Sequence, residues 1–216
     1  NAYTEAKTIP MDLMSKKIED SDDLNLIMSL LGLAMVDMYI AFVPMFDVID
    51  ETGTVLFLKL KNAYRDEKGD TVTFGADYVL EEDSGNDMKG DRKYWEGELD
   101  QKDESLRVLL YTERGGKMID KTVVEVTKNK DDSYTSQTIA YKADDEDGGN
   151  ASAYFIQFEG EDMAVISGNK TGGNPDFDYT TVFRMRNADI RQLSQPFDIN
   201  MDLSFKDGEI TSNLKE

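Results

Sequence analysis

From Gly53 almost to the C-terminus, apolar and polar residues alternate in short runs separated by acidic, glycine-containing turns. A period of two is the signature of a strand with one buried face, so the pattern predicts a meander of antiparallel strands. The runs fall at residues 55–61, 71–80, 92–99, 106–112, 118–128, 133–142, 151–159, 163–167, 179–186 and 197–206. Between them stand Lys68-Gly69-Asp70, Gly115-Gly116, Gly148-Gly149-Asn150, Gly172-Gly173-Asn174 and Asp207-Gly208, which supply the backbone freedom that tight turns require. Residues 187–195 read instead as one or two helical turns before Pro196.

The first 50 residues obey a different rule. A brief amphipathic helix is expected before Lys17, and Asp20, Ser21, Asp22 and Asp23 suit the positive end of the helix that follows. Residues 24–46 are almost continuously apolar, with Asp37 their only charged member. The run is long enough to cross a bilayer. However, no Lys or Arg lies between Lys17 and Lys59, both flanks are acidic, and Asp37 and Pro44 interrupt it, so no transmembrane span is expected. A helix apolar on all sides is then one buried on all sides, and the face of the sheet is the surface it can cover. The expected fold is mainly β: a single domain over 1–216, with a helical segment at 1–50 packed on a large curved antiparallel meander or partly open barrel at 54–216.

Composition removes several kinds of chemistry. The chain has no cysteine and no histidine, which excludes disulfides, thiolate nucleophiles, cysteine-ligated metals and the usual neutral-pH general base. A net charge of -20 repels nucleic acid and anionic lipid surfaces. It favours solubility and suits an exported protein, and Asn1 in place of methionine fits removal of a leader.

The sharpest enzymatic pattern is Tyr94-Trp95-Glu96-Gly97-Glu98-Leu99-Asp100. On a strand, Glu96 and Glu98 share one face about 7 Å apart, as paired carboxylates of a glycosidase require, and an aromatic neighbour could stack on a sugar. A solvated outer face, with Trp95, Gly97 and Leu99 turned inward, accounts for the same letters. The calcium candidate is Asp144, Asp145 and Asp147, acidic oxygens in a flexible turn without EF-hand spacing. Asp198, Asn200, Asp202 and Glu209 come closer to that spacing, but Leu203 replaces the required glycine and the segment alternates as a strand. Asp37, Met28, Met35 and Met38 are the candidates for contact with an apolar ligand, together with Trp95 on the sheet; methionine adapts to irregular apolar shapes, although it fills ordinary cores equally well.

The expected architecture resembles that of bacterial envelope proteins that carry lipids or lipoproteins in an unclosed barrel lidded by helices. That resemblance implies a non-enzymatic, extracytoplasmic binding protein, with a lipoprotein tether through a cysteine upstream of Asn1 as one form of it. The ligand would be a small apolar or cell-envelope molecule held between helix and sheet, with no cofactor unless calcium occupies the acidic turn. Two other readings stay open: a carbohydrate-active enzyme or carbohydrate-binding module using the strand around Glu96, and a structural or adhesion module whose sheet edge recruits a partner. Oligomeric state is not encoded in any of these features.

Overall fold

Regular alternation and frequent two-residue turns produce hairpins, and hairpins laid side by side produce a sheet in which each strand pairs with its neighbour in sequence. The structure is a computed structural model. It describes residues 61–143 and 149–172, the strand segments 178–186, 189–192, 201–206 and 209–214, and, in the N-terminal region, residues 3, 5–8, 12, 15, 16, 38, 41 and 46.

The strands are β1 (Lys61–Lys68), β2 (Thr71–Val79), β3 (Arg92–Asp100), β4 (Ser105–Arg114), β5 (Lys117–Lys128), β6 (Tyr134–Lys142), β7 (Asn150–Glu159), β8 (Asp162–Lys170), β9 (Asp178–Arg186) and β10 (Asp189–Gln192), followed by β11 (Met201–Lys206) and β12 (Glu209–Leu214). The first ten form one antiparallel sheet in sequence order, while β11 and β12 form a separate hairpin. With β1 and β10 at its edges, the sheet is an open meander and not a closed barrel. Both edges are blunted against further pairing. Strand β1 carries Lys61, Arg65, Asp66, Glu67 and Lys68 and shifts register between Lys61 and Tyr64, and β10 has only four residues.

Three elements differ from the sequence expectation. The charged stretch of β1 lacks alternation, yet it pairs with β2 through a tight turn after Lys68; the expected run at 55–61 lies outside the described residues except for Lys61. Residues 189–192, expected as helical turn, extend as β10 because the exposed edge of β9 offers a backbone partner that so short a helix lacks. Strand β12 pairs with β11, with Lys206 opposite Glu209.

Register carries one row of side chains across the sheet: Val72, Leu99, Leu106, Val126, Ser136, Ile156 and Val165 lie directly opposite one another in turn. The next row is Phe74, Gly97, Val108, Val124, Thr138 and Tyr154. We call this the inner face. Its apolar members form the core cluster, and two N-terminal side chains join it, Tyr3 and Phe46. The Phe46 ring lies 4.9 Å from that of Phe74 and 5.8 Å from that of Trp95. Tyr3, beside the short helical stretch 5–8, packs 5.7 Å from Tyr134 and 5.5 Å from Phe158. Tyr3 and Phe46 therefore pack on the inner face, while most of the apolar run 24–46 lies outside the described residues.

The opposite, outer face is not uniform. On β2 and β3 it is largely solvated, but on β6 to β8 Ile139, Ala151, Ala153, Phe155, Ala164 and Ile166 are buried as well. This differs from the one-sided alternation expected of 151–159 and 163–167: apolar residues stand at neighbouring positions, as at Phe155 and Ile156, and are buried on both faces.

At Gly97 the inner face has no room for a side chain, because the Phe74 ring lies over it and a Cβ would come within 2.0 Å of Phe74 Cζ. Gly97→Ala is expected to cost about 1–3 kcal/mol through overpacking, read as a lower urea midpoint with an unchanged denaturant slope.

Tyr134 supplies a second check. Burial, reinforced by its hydrogen bond to Glu104, pushes the phenol up to about 12. A group that holds its proton more tightly when folded stabilises the fold below its ordinary pKa and loses that contribution as pH rises through the folded value. Stability should therefore fall between about pH 10 and 12, and Tyr134→Phe should remove that part of the alkaline slope in denaturation measured across the range.

Candidate functional site

Toward β6 the inner face changes character. Thr138 stands between Val124 and Tyr154, and Ser136 between Val126 and Ile156, all on the side covered by the N-terminal segment. Ser136 is 1% exposed and Thr138 7%. Their hydroxyl oxygens are buried and have no hydrogen-bond partner among the described residues. Leaving a buried hydroxyl unsatisfied costs about 1–3 kcal/mol, so a purely structural core would place valine or alanine here at lower cost. The neighbouring row adds the half-buried Thr122 and Ser152. The result is a surface with Phe46, Phe74, Trp95, Val108 and Val124 at one end and hydroxyl-bearing side chains at the other.

Such a surface can hold an apolar body while donating to, or accepting from, a single polar group. Neither hydroxyl has a hydrogen-bonded base among the described residues to take its proton, and the chain contains no histidine. Among the described residues no group of three or more acidic side chains is placed to hold a metal ion.

Several residues singled out from sequence lie outside the described residues: Met28, Met35 and Asp37, and the calcium candidates Asp144, Asp145 and Asp147. Met38 is helical and 46% exposed. Trp95 is half-buried on the inner face against Phe46. No helix among the described residues is long and apolar enough to cross a membrane.

Glu96 and Glu98 are exposed on the outer face. The pleat separates both from Trp95, so the strand does not bring this tryptophan and the carboxylates to one ligand. Glu98 lies opposite Arg107, which pairs with Glu125 at 3.0 Å, while Gln137 donates to the same carboxylate; the four form a polar cross-strand row. Around Glu96 stand tyrosines. Tyr94 and Tyr111 stack with ring centres 4.3 Å apart, and the Arg92 guanidinium sits 4.8 Å from the Tyr94 centroid. Tyr94 is thus stacked on Tyr111 and in contact with the Arg92 guanidinium. Burial, and secondarily the negative charge of Glu96, raises the phenols of Tyr64 and Tyr111 above their ordinary value.

Glu96→Gln and Glu98→Gln should each change stability by less than about 0.5 kcal/mol, as exposed substitutions usually do. Glu96→Gln, but not Glu98→Gln, should shift the spectrophotometric titration of the tyrosines to lower pH, because it removes the charge that disfavours their ionisation.

No family model, curated protein or solved structure matches this chain. The hydroxyls of Ser136 and Thr138 were missed in the sequence because 133–142 has small polar residues at alternate positions on both faces. Neither face of that strand reads as apolar, and that ambiguity is itself the signal of a polar patch within a core.

Proposed function

We propose that this is a non-enzymatic binding protein that holds an apolar ligand bearing a hydrogen-bonding group between its N-terminal helical segment and the inner face of the sheet. The observation that carries this reading is the pair of buried, unpartnered hydroxyls at Ser136 and Thr138, beside the apolar wall of Val124 and Val126. An ester, amide or hydroxyl of the ligand would complete their hydrogen bonds, and the aromatic side chains of Phe46, Phe74 and Trp95 would flank its apolar part. We place the protein outside the cytoplasm, tethered as a lipoprotein or free, with its acidic composition as the support for that setting.

Thr138→Val tests the reading because it separates stability from binding. Replacing an unsatisfied hydroxyl with a methyl of the same shape should stabilise the ligand-free protein by about 1 kcal/mol. The same change should weaken binding of a fluorescent fatty-acid ester, which the unaltered protein is expected to take up at micromolar concentration, equivalent to about 8 kcal/mol. Native mass spectrometry that finds no bound amphiphile, with no dye uptake and no shift in melting temperature across a lipid panel, would overturn it.

A further inference from the structure

One pleat beyond the row of Trp95, the inner face ends in charge. Lys93, Thr112, Asp120 and Lys142 lie opposite one another across β3 to β6. The turn of the β4–β5 hairpin, Gly115-Gly116, has both residues at positive φ, as a two-residue type I′ connection demands. Below it a bulge leaves Ile119 unpaired with β4, and the carbonyl of Ile119 accepts from the amide of Ala143 at 2.8 Å. These elements and the loop residues Asn86 and Asp87 line an open hollow of about 700 Å³, together with Lys93, Arg114, Lys117, Met118, Asp120 and Lys142.

The charge of this hollow runs against that of the molecule. The chain has 44 acidic residues to 24 basic ones, yet here Lys93, Arg114, Lys117 and Lys142 face only Asp87 and Asp120. Two of the cations are already engaged. Arg114 donates through Nε and Nη2 to Asp91, at 2.7 Å each, and through Nη2 to the carbonyl of Asn86 at 3.2 Å. The Asp91 side chain is 1% exposed, and the paired guanidinium together with the amide of Met88 holds its carboxyl down at about 2. The Lys93 amine lies 2.8 Å from Asp87 and 4.0 Å from Asp120. Lys117 and Lys142 are exposed and form no ion pair with a described residue.

We propose that this hollow binds a phosphate-bearing ligand, its dianionic group held by the amines of Lys117 and Lys142 with Lys93 behind them. Two free ammonium groups on flexible stems suit a tetrahedral dianion that accepts from several directions. A planar carboxylate would be better served by a guanidinium fork, but the fork of Arg114 is committed to Asp91. The volume falls in the range that holds small organic ligands and far exceeds a bare phosphate ion, so the group belongs to a phosphate ester. A soluble phosphate monoester and the headgroup of phosphatidic acid share that chemistry. The site stands on its own residues, whether or not the inner face holds a second ligand.

Trp95, the sole tryptophan, lies two residues from Lys93 on the same face and provides a fluorescence reporter. Glycerol 3-phosphate and dihexanoyl phosphatidic acid below its critical micelle concentration are the probes, with glycerol as the uncharged control. Saturable binding of at least one phosphate probe, with a dissociation constant below about a millimolar and weakening as salt is raised, is expected. The doubly substituted K117Q/K142Q protein should bind at least about tenfold more weakly, whereas K102Q/K130Q, altered at exposed turns elsewhere, should bind like the unaltered protein. Comparable binding of both probes assigns the site to soluble phosphate esters, and binding of the lipid alone assigns it to a headgroup. Absence of binding by either probe, or undiminished binding to K117Q/K142Q, would overturn the proposal. Lipid binding lost with Thr138→Val but not with K117Q/K142Q would also overturn it, while leaving the inner-face reading intact.

Discussion

Everything in this structure depends on keeping one face of the meander continuous from β2 to β8. Because side chains alternate, a shift of one residue in any pairing would move that strand's whole apolar set to the other side. The row from Val72 to Val165 shows no such shift. The irregularities fall elsewhere: between Lys61 and Tyr64 on the edge strand, between Thr112 and Glu113 near a hairpin end, and between Ser167 and Gly168. Bulges placed there bend and twist the sheet without breaking its core. The closure of Phe74 over Gly97 works in the same direction, since a glycine on a strand otherwise weakens it and an aromatic ring across the pair restores the lost contact.

Turn chemistry and alternation made most of this legible in the sequence. Strands β2 to β9 lie where the apolar periodicity places them, and of the N-terminal segment expected to cover the sheet, Tyr3 and Phe46 pack on its inner face. What escaped notice has physical reasons. Strand β1 is nearly all polar because an edge strand must resist further pairing, and β10 is too short for any period to register. The double burial of β7 and β8 departs from the alternation expected of 151–159 and 163–167, and a short apolar stretch does not say which layer supplies a second cover. The hydroxyl patch was hidden for a different reason. Ser and Thr are ordinary strand residues on a solvated face, and only register with Val124, Val126 and Ile156 shows that Ser136 and Thr138 face inward.

The topology also separates two kinds of contact. Every pairing within the large sheet joins consecutive strands, so the ladder consists of local hairpins with low loop-closure cost. Contacts of Tyr3 with Tyr134 and Phe158 instead span most of the chain. Displacing that N-terminal side chain would expose apolar surface but would break none of the hydrogen bonds of the sheet. Side chains packed over a self-sufficient sheet make contacts that open at less than the cost of global unfolding. Access to the inner face is therefore compatible with a scaffold that stays folded.

Strand β3 shows how closely these demands are interleaved. Lys93 faces the cationic hollow, Tyr94 turns outward to stack on Tyr111, Trp95 turns inward to Phe46, Glu96 points back to water among tyrosines, and Gly97 makes room for Phe74. A short polypeptide segment can serve three environments because the pleat reverses direction at every residue and the register fixes what each direction meets. The same geometry makes Lys93 and Trp95 neighbours on one face while excluding Glu96 from it. A charged headgroup at the rim and an apolar body along the face would therefore contact adjacent rows of one surface, without any rearrangement of the strands.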